Sequence, residues 1–325
     1  MINFVIIGGG WRAEFYLRIA KALSDQFYVS AICIRNQQRA KEIARKFSVK
    51  VVGTIQDVLS EPFDFVVNCI NKEDVSDLAV QLADEGHYVL CETPIVKAPK
   101  EGHSYEKIQV AEQFHLKGTY QALKKILDSG IIGNISHIHL SVAHDYHAMS
   151  LMRFFLQDDN EPKILCNLSL PDKMMRTNGR IGIFSDKREE ETSRVIKMFQ
   201  FGKATGIYDY NVEQYFSPIR KDRILICGSR GEIENNSVRY LNENNEPVTG
   251  TIAQVTSGLL DGFFWDKITF ESQVLYEFPF PSARLSEEEI AIAQCLLNMK
   301  KYIQTGKELY HYERAYLDWF YFHCS

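Results

Sequence analysis

Residues 3–13, NFVIIGGGWRA, form the stretch that decides the fold. The run from Asn3 to Ile7 is rich in apolar and β-branched residues, which is typical of a buried strand. Three glycines then lead into WRAEFYLRIAKALS, whose apolar residues recur every three or four positions. The stretch therefore predicts a strand, a glycine turn and a helix in direct succession.

The same alternation continues through the first third of the chain. The apolar runs FYVSAICI, FDFVVNCI and HYVLC predict further strands, and NQQRAKEIARKFS and DVSDLAVQLADEG predict the helices between them. Strands that are apolar on both faces and joined by helices are typical of a parallel sheet covered by helices. We therefore expect an α/β domain with a parallel sheet.

The glycine turn carries a cofactor motif, because Gly8, Gly10 and Ala13 match the pattern GxGxxA. The first glycine permits a tight turn, the second lets the backbone approach a pyrophosphate, and the alanine allows close helix packing. Trp11 and Arg12 follow in the first turn of the helix, whose N-terminus offers unpaired N–H groups and a partial positive charge. The motif predicts a dinucleotide site, and the alternative is a bare glycine turn.

The end of the second strand bears on the choice of cofactor. Many dinucleotide folds have an Asp or Glu here to hold the ribose hydroxyls, but this chain has Ile34-Arg35-Asn36. A guanidinium can stack on adenine and pair with a 2′-phosphate. Arg35 therefore favours NADP over NAD as the cofactor, and the alternative is an exposed arginine beside a helix.

Polar residues follow two further strands at the edge where cofactors lie in open α/β sheets. Asn68 and Asn71 end the run FVVNCIN, and Glu92 and Thr93 end the run YVLCET. We expect these four side chains to line the cofactor site.

The chain resembles the Gfo/Idh/MocA family of nicotinamide-dependent oxidoreductases. The resemblance rests on GGGWRA at 8–13, ETP at 92–94, DSGIIGNI at 128–135, HDYHAMSLMRFFL at 144–156 and the closing stretch LSEEEIAIAQCLLNMKKYIQTGKELY. It implies a Rossmann dinucleotide-binding domain at 1–118. It also implies a substrate-binding and oligomerisation domain at 119–325, with a helix at 286–304 closing the fold.

Thr93 departs from the pattern of the family, in which a lysine commonly stands between the Glu and the Pro. That lysine helps to bind the substrate and to polarise its reacting oxygen, whereas a threonine hydroxyl donates a hydrogen bond without a charge. An alcohol also titrates far outside the useful range for proton transfer at neutral pH. Thr93 is therefore expected to contact the cofactor or substrate without acting as acid or base.

His147 matches the active-site histidine of the family, which implies a catalytic role for it. The alternation of residues 137–143 predicts a strand, and the spacing of Met149 and Met152 predicts a helix from about Tyr146. Asp145 or His144 is expected to orient or relay to the His147 ring. A metal site formed by the nearby histidines is the alternative, but no carboxylate or cysteine has ligand spacing, so no metal is predicted.

The remaining chain is rich in strand-like runs joined by short polar connections, which predicts a mostly antiparallel sheet in an α+β second domain. Some polar residues outside the motifs are candidate substrate ligands, and solvated loop residues are the alternative for the arginines. The candidates are Gln113, Arg176, Arg180, Tyr215, Arg220 and Arg223, of which the arginines and Tyr215 could bind an anionic substrate. The resemblance also implies a homo-oligomer, as a homodimer or homotetramer.

Composition excludes several other classes of protein. The 325 residues are 45% hydrophobic and carry a net charge of −5, so no broad basic surface is available for nucleic acid. No run approaches the roughly 20 apolar residues of a membrane span. The seven cysteines, Cys324 among them, form no CxxC pair. We expect a cytoplasmic protein with a small-molecule substrate and neither a nucleic-acid nor a membrane partner.

The sequence thus predicts an oxidoreductase that moves hydride between NADP, or alternatively NAD, and a small carbonyl, alcohol or imine. A rival prediction keeps the fold and the bound dinucleotide without turnover, in a sensor or regulatory protein. The replacement of lysine by Thr93 favours the rival, whereas His147 and the glycine loop favour the enzyme.

Overall fold

The computed structural model describes residues 1–179, 182–186, 188–258 and 263–323. Arg180 and Cys324 lie outside these described residues. The chain forms two compact units. Unit 1 comprises Met1–Gly118, the described part of Thr256–Asp266, and Phe278–Phe320, and unit 2 comprises Thr119–Val255, Lys267–Glu277 and the described part of Tyr321–Ser325.

Unit 1 contains a six-stranded parallel sheet with the strand order β3-β2-β1-β4-β5-β6. The strands are β1 (Ile2–Ile7), β2 (Phe27–Cys33), β3 (Val51–Val52), β4 (Phe65–Asn68), β5 (Val89–Cys91) and β6 (Ile108–Val110). The four apolar runs of the first third contain β1, β2, β4 and β5, as predicted. The reversal of strand order between β1 and β4 opens the crevice at which such sheets bind ligands.

Helices follow the first four strands. They are α1 (Trp11–Ala22), α2 (Gln37–Phe47), α3 (Ile55–Leu59) and α4 (Val75–Asp84). The side chain of Asn36 caps α2 by accepting a hydrogen bond from the Arg39 N–H. The side chain of Thr54 caps α3 by accepting a hydrogen bond from the Asp57 N–H. These caps fix where the chain leaves the carboxyl edge of the sheet.

Unit 2 is built on a ten-stranded sheet with the order β18-β17-β16-β15-β14-β13-β7-β12-β11-β8. The elements between residues 118 and 277 are α5 (Gly118–Asp128), β7 (Ile135–Ser141), α6 (Tyr146–Leu156), β8 (Lys163–Met175), β9 (Asn178–Gly179), β10 (Gly182–Ile183), β11 (Glu189–Phe201), β12 (Ala204–Asn211), β13 (Arg223–Gly228), β14 (Gly231–Glu234), β15 (Ser237–Leu241), β16 (Pro247–Ser257), β17 (Phe264–Phe270) and β18 (Gln273–Glu277). Strands β9 and β10 form a separate two-stranded sheet. Strands β7 and β12 pair in parallel, whereas the other described pairs in this sheet are antiparallel. The predicted fold class, a Rossmann domain followed by a mostly antiparallel sheet, is confirmed.

The large sheet has a buried inner face and a partly exposed outer face. On β7, Ile138 and Leu140 are buried, whereas His137 and His139 lie on the outer face. The alternation in the sequence predicted this division.

The last two helices are α7 (Glu287–Thr305) and α8 (Tyr312–His323). Ser286 and Glu289 form a capping box at the start of α7. The expected helix at 286–304 is thus present, but it belongs to unit 1 and not to a single domain spanning 119–325. The reason is that α7 packs against α1, where Arg18 forms an ion pair with Glu289 at 2.7 Å. Among the described residues, the structure contains no helix long and apolar enough to cross a membrane.

Candidate active site

The turn between β1 and α1 has the geometry that its glycines require. Gly8 has a φ of +121°, and a Cβ there would lie 2.6 Å from the carbonyl oxygen of Cys69. Gly10 is the N-cap of α1 with a φ of −72°, and a Cβ there would meet no heavy atom within 4 Å. Space is therefore open in front of the first N–H groups of α1, where a phosphate group is stabilised. The turn fits a dinucleotide pyrophosphate.

Arg12 lies in the first turn of α1 but is directed at two carboxylates. Its Nε lies 3.3 Å from Glu92 Oε2, and its Nη1 lies 3.2 Å from Glu288 Oε1. Burial alone lowers the pKa of Arg12, but Glu92 and Glu288 outweigh burial and hold that pKa above its ordinary value. The guanidinium also lies over the Trp11 ring, 4.5 Å from its centroid. Arg12 is thus held as a bridge between the strand-end turn and α7.

Glu92 follows β5 and is buried. The Tyr16 hydroxyl donates a hydrogen bond of 2.5 Å to Glu92 Oε1. Burial raises the pKa of Glu92, although Arg12 and the hydrogen bond from Tyr16 oppose the rise. The peptide bond between Thr93 and Pro94 is cis, and Thr93 is half-buried. Two side chains of α1 therefore fix the turn that carries Thr93.

Arg12→Gln is expected to destabilise the protein by about 3 kcal/mol at neutral pH, because it leaves carboxylates without their buried partner. The pKa of Glu92, already raised by burial, then rises further. The folded state binds a proton more readily than the unfolded chain, so stability falls as pH rises from the unfolded to the folded pKa of Glu92. Urea denaturation should therefore show a smaller deficit at about pH 5 than at about pH 7.

The matched control is Arg45→Gln, which removes a guanidinium from the exposed surface of α2. It should change the free energy of unfolding by less than about 0.5 kcal/mol at either pH. An Arg12→Gln deficit of the same size at both pH values would contradict the proposed coupling to Glu92.

Two arginines that follow β2 have different surroundings. Arg35, the predicted adenosine contact, is exposed. Arg39 Nε donates to the Gly9 carbonyl at 2.8 Å, and Arg39 Nη2 donates to Glu14 at 2.5 Å. Arg39 therefore holds the glycine turn, a role that the sequence analysis missed. Its position in the first turn of α2, directly after the β2 edge, was the available signal.

The other predicted cofactor residues also lie at the carboxyl edge of the sheet. Asn68 is buried, and its Nδ2 donates to the Val75 carbonyl at 2.8 Å, which fastens the start of α4. The Asn68 Oδ1 is buried and accepts no hydrogen bond from the described residues. Asn71 Oδ1 accepts from the Asp74 N–H at 3.2 Å. The side chain of Asn68 is thus a strand-end group with one acceptor still available.

Gln113, a predicted substrate ligand, is buried in unit 1. Its Nε2 donates to Glu288 Oε1 at 3.3 Å, the same oxygen that Arg12 contacts. The described structure therefore makes Gln113 part of the network around Arg12, and its contact with a substrate stays a prediction.

In unit 2, His147 is buried in the first turn of α6. Its ring centroid lies 5.3 Å from that of His144 and 4.2 Å from that of Tyr146. The His144 ring lies 5.2 Å from the Tyr215 ring in an edge-to-face arrangement. The structure therefore brings the predicted residues His144, His147 and Tyr215 into one cluster with Tyr146.

The loop before α6 is strained. Ala143 and Asp145 have φ values of 54° and 52°, in the left-handed region that residues with a side chain seldom adopt. The Tyr208 hydroxyl accepts a hydrogen bond from the Asp145 N–H at 3.3 Å. The Asp145 carboxylate lies 3.9 Å from His323 Nε2. Strain held by such contacts is frequent where a side chain is positioned for function, and here it lies directly before the helix that carries His147.

Two predicted arginine ligands of unit 2 have acidic partners. Arg176 lies over the Phe184 ring at 3.5 Å and forms ion pairs with Asp186 and Glu190, both at 3.5 Å. Arg220 pairs with Asp172 at 3.1 Å. The Arg176 guanidinium is thus held within its own hairpin region.

The histidines of β7 do not form a metal site with neighbouring residues in the described parts of the chain. Within those parts, no three His, Cys, Asp or Glu side chains are grouped as metal ligands. Burial lowers the pKa of His139, although Asp209 at 3.9 Å opposes that shift.

Comparison with known proteins defines unit 1 further. Its sheet order and glycine turn are those of a Rossmann dinucleotide-binding fold. Residues 2–117 match the family model described as "Oxidoreductase family, NAD-binding Rossmann fold". This part of the chain is similar to the Gfo/Idh/MocA family, and the resemblance found in the sequence is confirmed for residues 2–117. No curated protein sequence matches the chain.

Solved structures resemble the whole chain. An oxidoreductase from Agrobacterium radiobacter, in complex with NAD+, L-tartaric acid and magnesium, has a TM-score of 0.62 and 16% identity, covering 98% of this chain and 93% of the other. A myo-inositol dehydrogenase from Corynebacterium glutamicum has a TM-score of 0.62 and 14% identity, covering 99% and 94%. A levoglucosan dehydrogenase in complex with NADH and levoglucosan has a TM-score of 0.64 and 14% identity, covering 98% and 94%. At these identities the likeness establishes the fold alone.

Proposed function

We propose that the protein is an NAD(P)-dependent oxidoreductase acting on a small carbonyl, alcohol or imine. The observation that carries the proposal is the turn Gly8–Gly10, which leaves open space before the N-terminus of α1 in a unit that is similar to the Gfo/Idh/MocA family. The nicotinamide cofactor supplies hydride transfer when bound. The dehydrogenases among the structural neighbours, named for myo-inositol and levoglucosan, support a small-molecule substrate.

The residues of unit 1 would bind and orient the cofactor. The first N–H groups of α1, which include those of Trp11 and Arg12, would bind the pyrophosphate. Arg39 would keep the glycine turn in shape through its hydrogen bond to Gly9. Asn68 and Asn71 would meet the cofactor at the strand ends, with Glu92 and Thr93 on the neighbouring turn.

NADP is the proposed cofactor, with NAD as the alternative, because Arg35 is exposed at the end of β2. Arg35→Ala is expected to weaken NADPH binding by about tenfold to a hundredfold, the scale of one charge-assisted contact. NADH binding should change by less than about twofold, since NADH lacks the 2′-phosphate. Titration of the cofactor fluorescence measures both affinities.

Arg45→Ala is the matched control, because it removes an exposed guanidinium from α2. It should leave both affinities unchanged. An equal loss of NADH and NADPH binding in Arg35→Ala would remove the argument for a 2′-phosphate contact and leave NAD as the better choice.

His147 is the proposed proton carrier, with His144 or Asp145 as the group that orients it. The close rings of His144 and Tyr146 and the strained loop before α6 support this role. Thr93 would contact the substrate or cofactor with its hydroxyl. Imine reduction suits a protein that has Thr93 in place of the lysine, because the product amine needs a proton more than it needs a cation beside a developing alkoxide.

Turnover tests the proposal directly. The purified protein would be incubated with NADPH or NADH and pools of small carbonyls and imines, and with NADP+ or NAD+ and pools of alcohols, while the nicotinamide absorbance is followed. A change that depends on both cofactor and substrate supports an oxidoreductase. The second candidate function, a dinucleotide-binding sensor, is favoured by Thr93 in place of lysine. It predicts cofactor binding without turnover in any pool.

A homodimer or homotetramer in the cytoplasm completes the proposal. The outer face of the large sheet supports assembly, because Leu168 on β8 is 47% exposed. Leu168 lies opposite Ile196, which is half-buried on the same face. Light scattering of the purified protein tests the assembly, and cell fractionation tests the location.

A further inference from the structure

Unit 2 contains a cavity of about 630 Å³ whose wall is strongly basic. The wall includes Arg194, Arg220, Lys221 and Arg223, and the one acidic residue in it is Asp172. These cations come from β11, from the loop before β13 and from the start of β13 itself. Residues distant in sequence thus converge on one concave surface, and its volume is that of a small-molecule site.

Two of the four cations are neutralised by the protein. Arg194 forms two hydrogen bonds to the Asp209 carboxylate, at 2.6 and 2.5 Å. Arg220 Nη1 donates to Asp172 Oδ2 at 3.1 Å, and Asn211 Nδ2 donates to the same oxygen at 2.7 Å. These paired groups build the wall and add little net charge to the cavity.

The other two cations give the cavity its charge. Lys221 and Arg223 form no ion pair within the part of the chain that the structure describes, and both are exposed. Asp222 stands between them in the sequence but does not line the cavity. Gln214 Nε2 donates to the Lys221 carbonyl at 3.3 Å, and β13 pairs Arg223 with Ser141 of β7. The backbone on either side of Asp222 is therefore fixed. Two cations without an ion pair of their own face the cavity, although Arg223 also attracts the Asp209 carboxylate.

The wall also has an apolar part. Leu170, Pro171 and Ile219 line the cavity, and Ile219 is 62% exposed. A free inorganic ion would contact only the charged part of this wall. An organic molecule would also cover the apolar side chains, which adds a hydrophobic contribution to its binding.

We propose that this cavity binds a small organic dianion, a phosphate monoester or a dicarboxylate, with Lys221 and Arg223 as its two charge partners. Two cations without an ion pair of their own match two negative charges, and Leu170, Pro171 and Ile219 contact the carbon part of the ligand. The proposal concerns binding to unit 2 and is independent of hydride transfer. Its test therefore uses affinity, so that its failure is distinguishable from the absence of turnover.

Isothermal titration calorimetry of the whole protein tests the proposal, with glycerol 3-phosphate, succinate, inorganic phosphate and glycerol as probes. Glycerol 3-phosphate or succinate should bind saturably at one site per chain, and the tighter of the two identifies the class. Inorganic phosphate should bind at least about tenfold more weakly, because it cannot cover the apolar wall. Glycerol should not bind, and the affinity of the dianion should fall as salt is added.

Variants locate the binding on the chain. Lys221→Gln and Arg223→Gln should each weaken the dianion by about tenfold, since each removes one charge-assisted contact. Arg223→Lys keeps the charge but loses the two parallel N–H groups, so its affinity should lie between those of the parent protein and Arg223→Gln. Lys163→Gln is the matched control, because it removes an exposed cation from β8 outside the cavity. Thermal melting should show that all four variants are folded.

The proposal is overturned if neither dianion binds saturably, or if inorganic phosphate binds as tightly as both. It is also overturned if Lys221→Gln and Arg223→Gln leave the affinity unchanged, or if Lys163→Gln lowers it equally. The last two outcomes would mean that the dianion binds elsewhere on the protein.

Discussion

His147→Ala is expected to reduce turnover by roughly a hundredfold or more, the usual scale for a positioned acid or base. Its ring is buried in the first turn of α6 and is fixed by the rings of Tyr146 and His144. The affinity for NADPH should stay within about twofold, because the proposed role of His147 concerns the substrate proton. Steady-state kinetics with a substrate found by screening, together with cofactor fluorescence, measures the two effects separately.

Two further variants make this test specific. His147→Gln fills more of the buried space than alanine, so an equally low rate there shows that the loss does not come from a cavity. Thr93→Val keeps the shape of the side chain and removes its hydroxyl, which should cost about 0.5 to 1.5 kcal/mol if that hydroxyl contacts a ligand. A Thr93→Val enzyme as inactive as His147→Ala would overturn the assignment of roles and make Thr93 essential.

The N-terminal half of the fold was predictable because its signals are local. Strands β1, β2, β4 and β5 are apolar on both faces, and the glycines of the first turn stand next to each other in the sequence. Strand β3 was missed because it has only two residues, too few to show a pattern, and β6 was missed because Gln109 interrupts its apolar residues. The membership of α7 in unit 1 was also missed, because it depends on contacts with a helix more than 260 residues earlier, such as the ion pair of Arg18 with Glu289.

In the candidate site, too, short motifs were predictable from the sequence, whereas contacts between residues distant in sequence were not. Gly8, Gly10 and His147 were identified by motifs that occupy a few consecutive residues. The partners of Glu92 were not predictable, since Tyr16 lies 76 positions before it and the Arg12 network extends 276 positions to Glu288. The basic cavity of unit 2 likewise depends on the pairing of β11 with β8. Arg220 and Arg223 were candidates from the sequence, but their convergence with Arg194 was not predictable.

The largest effect on cofactor binding is expected from Gly10→Asp. A side chain at position 10 meets no heavy atom within 4 Å, and Asp is a favourable N-cap, so the variant should be as stable as the parent protein or more stable. The same carboxylate occupies the space before α1 and competes with the pyrophosphate for its N–H groups. The affinity for NADH and NADPH should fall by at least roughly a hundredfold, measured by cofactor fluorescence.

Variants at Gly8 and Gly53 are the two controls for the Gly10→Asp experiment. Gly8→Ala should cost about 3 kcal/mol or more in the free energy of unfolding, because its Cβ would lie 2.6 Å from a backbone oxygen at a φ of +121°. Gly53→Asp adds the same charge to unit 1 at another open position, where a Cβ also meets nothing within 4 Å. It should change neither stability nor cofactor affinity by a measurable amount. If Gly10→Asp binds the cofactor as Gly53→Asp does, the N-terminus of α1 is not the pyrophosphate site, and the proposed function loses the observation that carries it.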